Sequence, residues 1–170
     1  MGMIFSFLGG LYLAAGIITA TAGAGAGAEH MATLEVVGNI RNFSDPARRL
    51  FQLTPTQFHA LPQYSITTAT SWTPVVTFSG VKMEDLMQAA GAQGSYAMVY
   101  ALDDYSVRIP VSDFRKYGVI IARYMNGQPL LRNGFGPYFI IYPRDKYPHE
   151  LSTPTAEAKF IWQVNRIEFK

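Results

Sequence analysis

Short apolar runs and turn residues alternate along most of the chain, a pattern that predicts many brief strands and a few short helices. Residues 34–38 (LEVVG) read as a strand closed by Gly38-Asn39, and residues 50–53 form a second apolar run. Thr54, Pro55 and Gln57 then supply an N-cap, a proline in the first turn and the third-position partner of a capping box, predicting a helix that stops before Pro62. Residues 64–70 (YSITTAT) alternate and are rich in β-branched side chains, which fits a strand. Residues 83–90 predict a helix with Leu86, Met87 and Ala90 on its apolar face and Gly91 as its C-terminal cap. The runs 96–101 (YAMVYA) and 105–109 (YSVRI) flank an acidic turn and predict a hairpin. Residues 111–117 suit a helical turn capped by Ser112. Strands follow at 119–125, turned by Asn126-Gly127, at 138–142 (YFIIY), and within 160–169 (FIWQVNRIEF). The glycine-containing stretch 133–137 and the polar, proline-containing stretch 144–155 read as loops. Neither a repeat nor a linker divides these pieces. They predict one mixed α+β domain, strand-rich, with two or three short helices.

The N-terminal segment does not fit this domain. Residues 4–20 are almost wholly apolar, no charge precedes Glu29, and the small-residue stretch TAGAGAGA follows at 21–28. This reads as a signal peptide over 1–28 that directs export to the periplasm, with cleavage after residue 28 or 22 and the mature domain over 29–170. The segment has no Lys or Arg ahead of the apolar run, so a retained membrane anchor and a misplaced start codon are the other readings.

Composition narrows the function classes. With 14 Lys and Arg against 12 Asp and Glu, the chain carries a formal charge of +2 and no basic stripe, so no nucleic-acid partner is expected. There is no cysteine, which excludes disulfides, thiolate metal sites and cysteine nucleophiles. The three histidines, His30, His59 and His149, share no ligand spacing. No serine lies in a nucleophile elbow, and Gly134-Phe135-Gly136 leads into a strand, so a dinucleotide fingerprint is absent. Asp103 and Asp104 are adjacent carboxylates, although a hairpin turn favours aspartate on backbone grounds alone.

The order of the motifs resembles the oxidoreductase molybdopterin-binding domain family, the fold of sulfite oxidases, from about Leu34 to Phe169. The carriers are LEVVGNI at the first strand, FSGVKMEDLMQAAGA at 78–92, ALDDYSVRIPVSDF at 101–114, IARYMNGQPL at 121–130 and GFGPYFIIYP at 134–143. The departures fall at the metal centre. The family's molybdenum-ligating cysteine precedes the glycine-valine element, and the corresponding stretch here, TTATSWTPVVT at 67–77, has none. Serine is no substitute for a soft thiolate donor. Phe139 stands where the family's arginine is expected.

The resemblance therefore implies a pocket for a pterin-like ring, with no molybdenum expected. Trp72, in the run Thr70-Ser71-Trp72, offers a flat face for stacking a bicyclic heteroaromatic, its alternative role being that of a core or lid residue. Asp103 or Asp104 could accept the paired N–H donors of a pterin edge. Tyr105, Arg123, Asn126 and Tyr142 lie at strand ends of the same motifs and complete the expected rim, Arg123 fitting an ion pair equally well. Trp162 is expected in the core. The function this implies is a non-catalytic periplasmic binding protein for a pterin-like small molecule. It would report occupancy to a membrane-bound signalling partner, for instance a cyclic-di-GMP-controlling protein. A residual molybdopterin-dependent oxidoreductase, or a scaffold with a vestigial pocket, are the alternatives.

Overall fold

A computed structural model describes residues 33–170, so the predicted signal peptide and His30 lie outside the described residues. Strands β1 (Leu34–Gly38) and β2 (Phe51–Leu53) form a hairpin-like antiparallel pair. Helix α1 (Pro55–Ala60) then starts from the capping box read in the sequence: the Thr54 hydroxyl accepts from the Gln57 backbone N–H, and the Gln57 side chain accepts from the Thr54 N–H. β3 (Gln63–Thr68) and β4 (Val76–Lys82) form a second antiparallel pair. They run into α2 (Met83–Ala90), which ends on Gly91 at φ 60°, a left-handed conformation that glycine adopts without the Cβ penalty. β5 (Tyr96–Ala101) and β6 (Ser106–Pro110) make the expected hairpin. α3 (Val111–Tyr117) follows with Pro110 at its N-cap and no side-chain cap bond, so Ser112 does not fill the capping role expected of it. β7 (Ile120–Met125), β8 (Gln128–Pro129) and β9 (Phe139–Ile141) complete the central strands.

The segment read as a loop over 144–155 holds a 3₁₀ turn (Arg144–Lys146) and two four-residue helices, α4 (Pro148–Leu151) and α5 (Pro154–Glu157). Each of these helices opens on a proline in its first turn, and Thr153 caps the second by accepting from Ala156 N–H. The chain ends in β10 (Val164–Phe169).

Two five-stranded sheets result. One has the order β2-β1-β10-β5-β6, with β1 and β10 parallel and the other pairs antiparallel. The second runs β3-β4-β7, with β8 and β9 both pairing to β7. Alternation along β1 and β5 buries Leu34, Val36, Ala97 and Val99, whereas β7 buries Ile120, Ile121 and Ala122 in succession. Phe139, Ile140 and Ile141 of β9 are likewise all buried. Such unbroken runs mark strands covered on both faces. One continuous core joins these residues to Phe78, Phe114, Ile167 and Phe169, so both sheets share it. Gly80 is required where β4 meets β7, because a Cβ there would collide with the Ile121 carbonyl oxygen.

Candidate functional site

One end of the molecule opens into a cleft of about 440 Å³, lined by loops from both sheets. Ser71 and Trp72 come from the β3–β4 loop of one sheet, and Ala101, Asp103 and Tyr105 from the β5–β6 hairpin of the other. The rest of the lining, including Glu157, Phe160, Ile161 and Trp162, belongs to the segment running from α5 into β10.

The loop that carries Trp72 is held by its own threonines. Thr70 is buried, and its Oγ1 accepts from the backbone N–H groups of Trp72 (3.1 Å) and Thr73 (3.0 Å), closing a tight polar turn. The loop is also tied to the 3₁₀ turn, since Ala69 N–H donates to Asp145 Oδ2 and Asp145 N–H donates to Thr68 Oγ1. Anchored in this way, Trp72 is left 47% exposed while its ring packs at a tilt on Phe139, 6.3 Å between ring centroids. Leaving so large an apolar ring half in water forgoes burial energy, which argues for a surface that something else covers.

Trp162, expected in the core, is half-buried against the core's edge rather than enclosed by it. It stands in the cleft and meets Phe135 edge to face at 6.0 Å. The cause is Gln163, which takes φ 55°, a conformation that is costly for a non-glycine residue. That turn delays the strand until Val164 and swings Trp162 out of the alternating register. Gln163 is over-determined by its bonds: its N–H donates to Phe135 O, its Nε2 to Arg132 O and Gly134 O, and its carbonyl accepts from Leu102 N–H.

Asp103 serves two surfaces at once. Its Oδ1 accepts from Tyr105 N–H, forming the side-chain turn that closes the hairpin, and the same residue lines the cleft. Tyr105 is 51% exposed beside it. Asp104, the neighbouring candidate, takes φ 66° in the turn and is absent from the lining.

The other expected rim residues have structural partners elsewhere. Asn126 closes the β7–β8 turn and accepts from Thr77 N–H. The Arg123 guanidinium lies over the Tyr138 ring at 5.6 Å, and burial pushes the Tyr138 hydroxyl up to about 12 against the opposing pull of that cation. Tyr142 is fully buried and donates to Asp113 Oδ2, which also accepts from Lys159 Nζ at 2.7 Å. Burial first, then the Asp113 charge, holds the Tyr142 hydroxyl far above the ordinary phenol range. This buried trio has a consequence for the cleft: Lys159 lies in the wall segment between Glu157 and Phe160, so its bond to Asp113 pins that wall to α3.

A second groove of about 460 Å³ lies between α2 and α3, lined by Glu84, Met87, Val111, Ser112, Arg115 and Lys116. It contains no aromatic ring and is crossed by the exposed Arg115–Glu84 ion pair at 3.2 Å. Among the described residues, no cluster of three His, Cys, Asp or Glu side chains could hold a metal ion, and no helix is long and apolar enough to cross a membrane.

Comparison with known proteins bears on the family and the fold. The sequence model of the oxidoreductase molybdopterin binding domain matches residues 27–144. That stretch includes the Trp72 loop and the Asp103 hairpin, while the Glu157–Trp162 wall follows it. No curated protein sequence matches the chain. Among solved structures, the chain is similar to the sulfane dehydrogenase SoxCD from Paracoccus pantotrophus, with a TM-score of 0.58 and 13% identity. The match covers 80% of this chain and 37% of that one, so the chain spans little more than a third of its length. At this identity the likeness is one of fold.

Proposed function

This chain belongs to the oxidoreductase molybdopterin-binding domain family, and we propose that within it the chain is a non-catalytic binding protein for a pterin-like small molecule. The observation that carries the reading is the pair of indoles, Trp72 and Trp162, bordering one cleft with the Asp103 carboxylate. Flat apolar walls suit a bicyclic heteroaromatic, with ring contacts adding roughly 0.5–1.5 kcal/mol each beyond the area they bury. A carboxylate oxygen at the edge of such a slot accepts the N–H donors that a pterin shares with guanine.

Catalysis receives no comparable support. The chain has no cysteine to act as a thiolate ligand, and among the described residues the side-chain metal donors of its cleft are oxygens, in Ser71, Asp103, Tyr105 and Glu157. The apolar leader and small-residue stretch of residues 4–28 favour export, so the protein would meet its ligand in the periplasm. We further propose that occupancy is reported to a membrane-bound signalling protein, such as one controlling cyclic-di-GMP. The Lys159–Asp113 bond supplies a physical route from the cleft wall to α3.

Calorimetric titration of the full chain with oxidised and reduced pterins tests the reading. Micromolar or tighter binding that collapses in Trp72→Ala is expected. Absence of binding by every pterin would overturn it.

A further inference from the structure

Among the described residues, the cleft lining contains two carboxylates, Asp103 and Glu157, and no Lys, Arg or His. Molybdopterin, the group in the family's description, is a pterin whose side chain ends in a phosphate and carries a dithiolene for the metal. A phosphate entering this cleft would give up water and find no cation in the wall. Two cationic groups adjoin this wall, and both are already committed: Lys159 to Asp113, and Arg144 to two carboxylates. Arg144 Nη1 lies 3.5 Å from Glu157 Oε1 and its Nε 3.8 Å from Asp145 Oδ1. Arg144 therefore faces two carboxylates, and the trio it forms with them is net negative.

Backbone donors do not fill the gap. The helix that reaches the cleft, α5, has only four residues and opens on Pro154, which has no N–H. Its Ala156 N–H is taken by Thr153 Oγ1, and its Glu157 N–H by Thr153 O. On the opposite wall, the N–H groups of Trp72 and Thr73 are taken by Thr70 Oγ1, and that of Tyr105 by Asp103 Oδ1. These amides are thus spent within the loops rather than offered to an anion.

We infer that Asp103 and Glu157 make the cleft selective for heteroaromatic ligands without a phosphate, so that it rejects phosphate esters, molybdopterin included. The inference rests on the ring-binding reading above and sharpens its ligand class. Asp103 acts through direct acceptance of ring N–H donors, Glu157 through the negative field it adds beside Arg144. A doubly charged phosphate within reach of two carboxylates in a partly desolvated cleft is disfavoured at least ten-fold in affinity.

The matched pair neopterin and neopterin 3′-monophosphate, titrated calorimetrically into the full chain at low and at physiological salt, tests this. Neopterin should bind at least ten-fold more tightly than its phosphate, and the gap should narrow as salt rises. Glu157→Gln, which keeps an acceptor for Arg144, should narrow the gap by several-fold. Glu157→Lys should close or reverse it. Asp103→Asn keeps the Oδ1 acceptor of the turn and should weaken neopterin itself. Equal or tighter binding of the phosphate by the unaltered chain would overturn the inference while leaving the ring-binding reading in place. Binding of neither compound would overturn both.

Discussion

Trp72 and Trp162 face one cleft from the loops of different sheets, and an unbroken series of rings joins them. Trp72 packs on Phe139 at 6.3 Å, Phe139 stacks on Phe135 at 5.4 Å, and Phe135 meets Trp162 at 6.0 Å. Phe139 is itself fixed in the core by Phe78, edge to face at 5.6 Å. The two indoles are therefore positioned by a common aromatic base that belongs to the rigid part of the fold. A slot set up in this way loses little conformational entropy when a flat ligand enters it.

Replacing either indole separates binding from folding. Trp72→Ala should weaken binding of a pterin about ten-fold or more, the size expected for one lost stacking face with its buried area. Because Trp72 is nearly half exposed, its loss should change unfolding stability by no more than about 0.5 kcal/mol. Trp162→Ala should weaken binding similarly and also lower stability slightly, since it removes the edge contact to Phe135. Calorimetric titration and denaturant unfolding of the same preparations check both.

Gln163 holds Trp162 in place without entering the cleft. Gln163→Gly would relieve the positive φ but lose both side-chain bonds to the 132–134 loop, and Gln163→Ala would lose the bonds and keep the strain. Ligand affinity should fall in both variants, and stability should fall more in the alanine variant than in the glycine variant, by roughly 1 kcal/mol. Equal stability of the two would show that the left-handed turn carries no cost here.

Much of the architecture was legible because it rests on local chemistry. The Thr54–Gln57 capping box, the Gly91 cap, the acidic hairpin turn and the Asn126-Gly127 turn are each specified within a few residues, and each forms as read. The five motifs in order were enough to indicate the family. Two parts of the site were not legible. α4 and α5 are single turns, too short to establish a helical period, although Pro148, Thr153 and Pro154 are ordinary helix starts in retrospect. Trp162 looked like core because 160–169 alternates as a strand, and nothing local to the sequence says that Gln163 breaks the alternation through bonds to a distant loop. Motif position also suggested a rim role for Tyr142, Arg123 and Asn126. Which face of the sheet they occupy depends on tertiary packing, and the structure gives them Asp113, Tyr138 and Thr77 as partners.

The Lys159–Asp113 pair should behave as a structural tie. Both side chains are mostly buried, so Asp113→Asn leaves an ammonium facing a neutral amide and the Tyr142 hydroxyl. A loss of about 2 kcal/mol is expected, which lowers the melting temperature by roughly 4–8 °C. Lys159→Met keeps the packed stem and removes the charge, leaving Asp113 with Tyr142 as its donor, and should cost less. If the tie also couples the cleft wall to α3, hydrogen exchange of residues 111–117 should slow when ligand binds the unaltered chain and respond less in Lys159→Met.

Glu168 predicts an acid limb in the stability curve. Burial works against its charge, yet the Lys170 ammonium and the Tyr100 hydroxyl together hold its carboxyl below the ordinary carboxylate value of 4.5. A carboxyl with a lowered folded value contributes stability that is complete above 4.5 and is lost as pH falls through the folded value. Unfolding free energy measured in that acid range should therefore fall less steeply for Glu168→Gln than for the unaltered chain. Parallel slopes would show that the Tyr100–Glu168–Lys170 network contributes nothing to the pH dependence.

The small-molecule and metal content of natively purified protein tests the central claim most directly. Mass spectrometry after denaturation, with elemental analysis of the same sample, should find a phosphate-free pterin or a closely similar heterocycle, and no stoichiometric molybdenum. Stoichiometric molybdenum together with a phosphate-bearing pterin would contradict the account and return the chain to the oxidoreductases of its family.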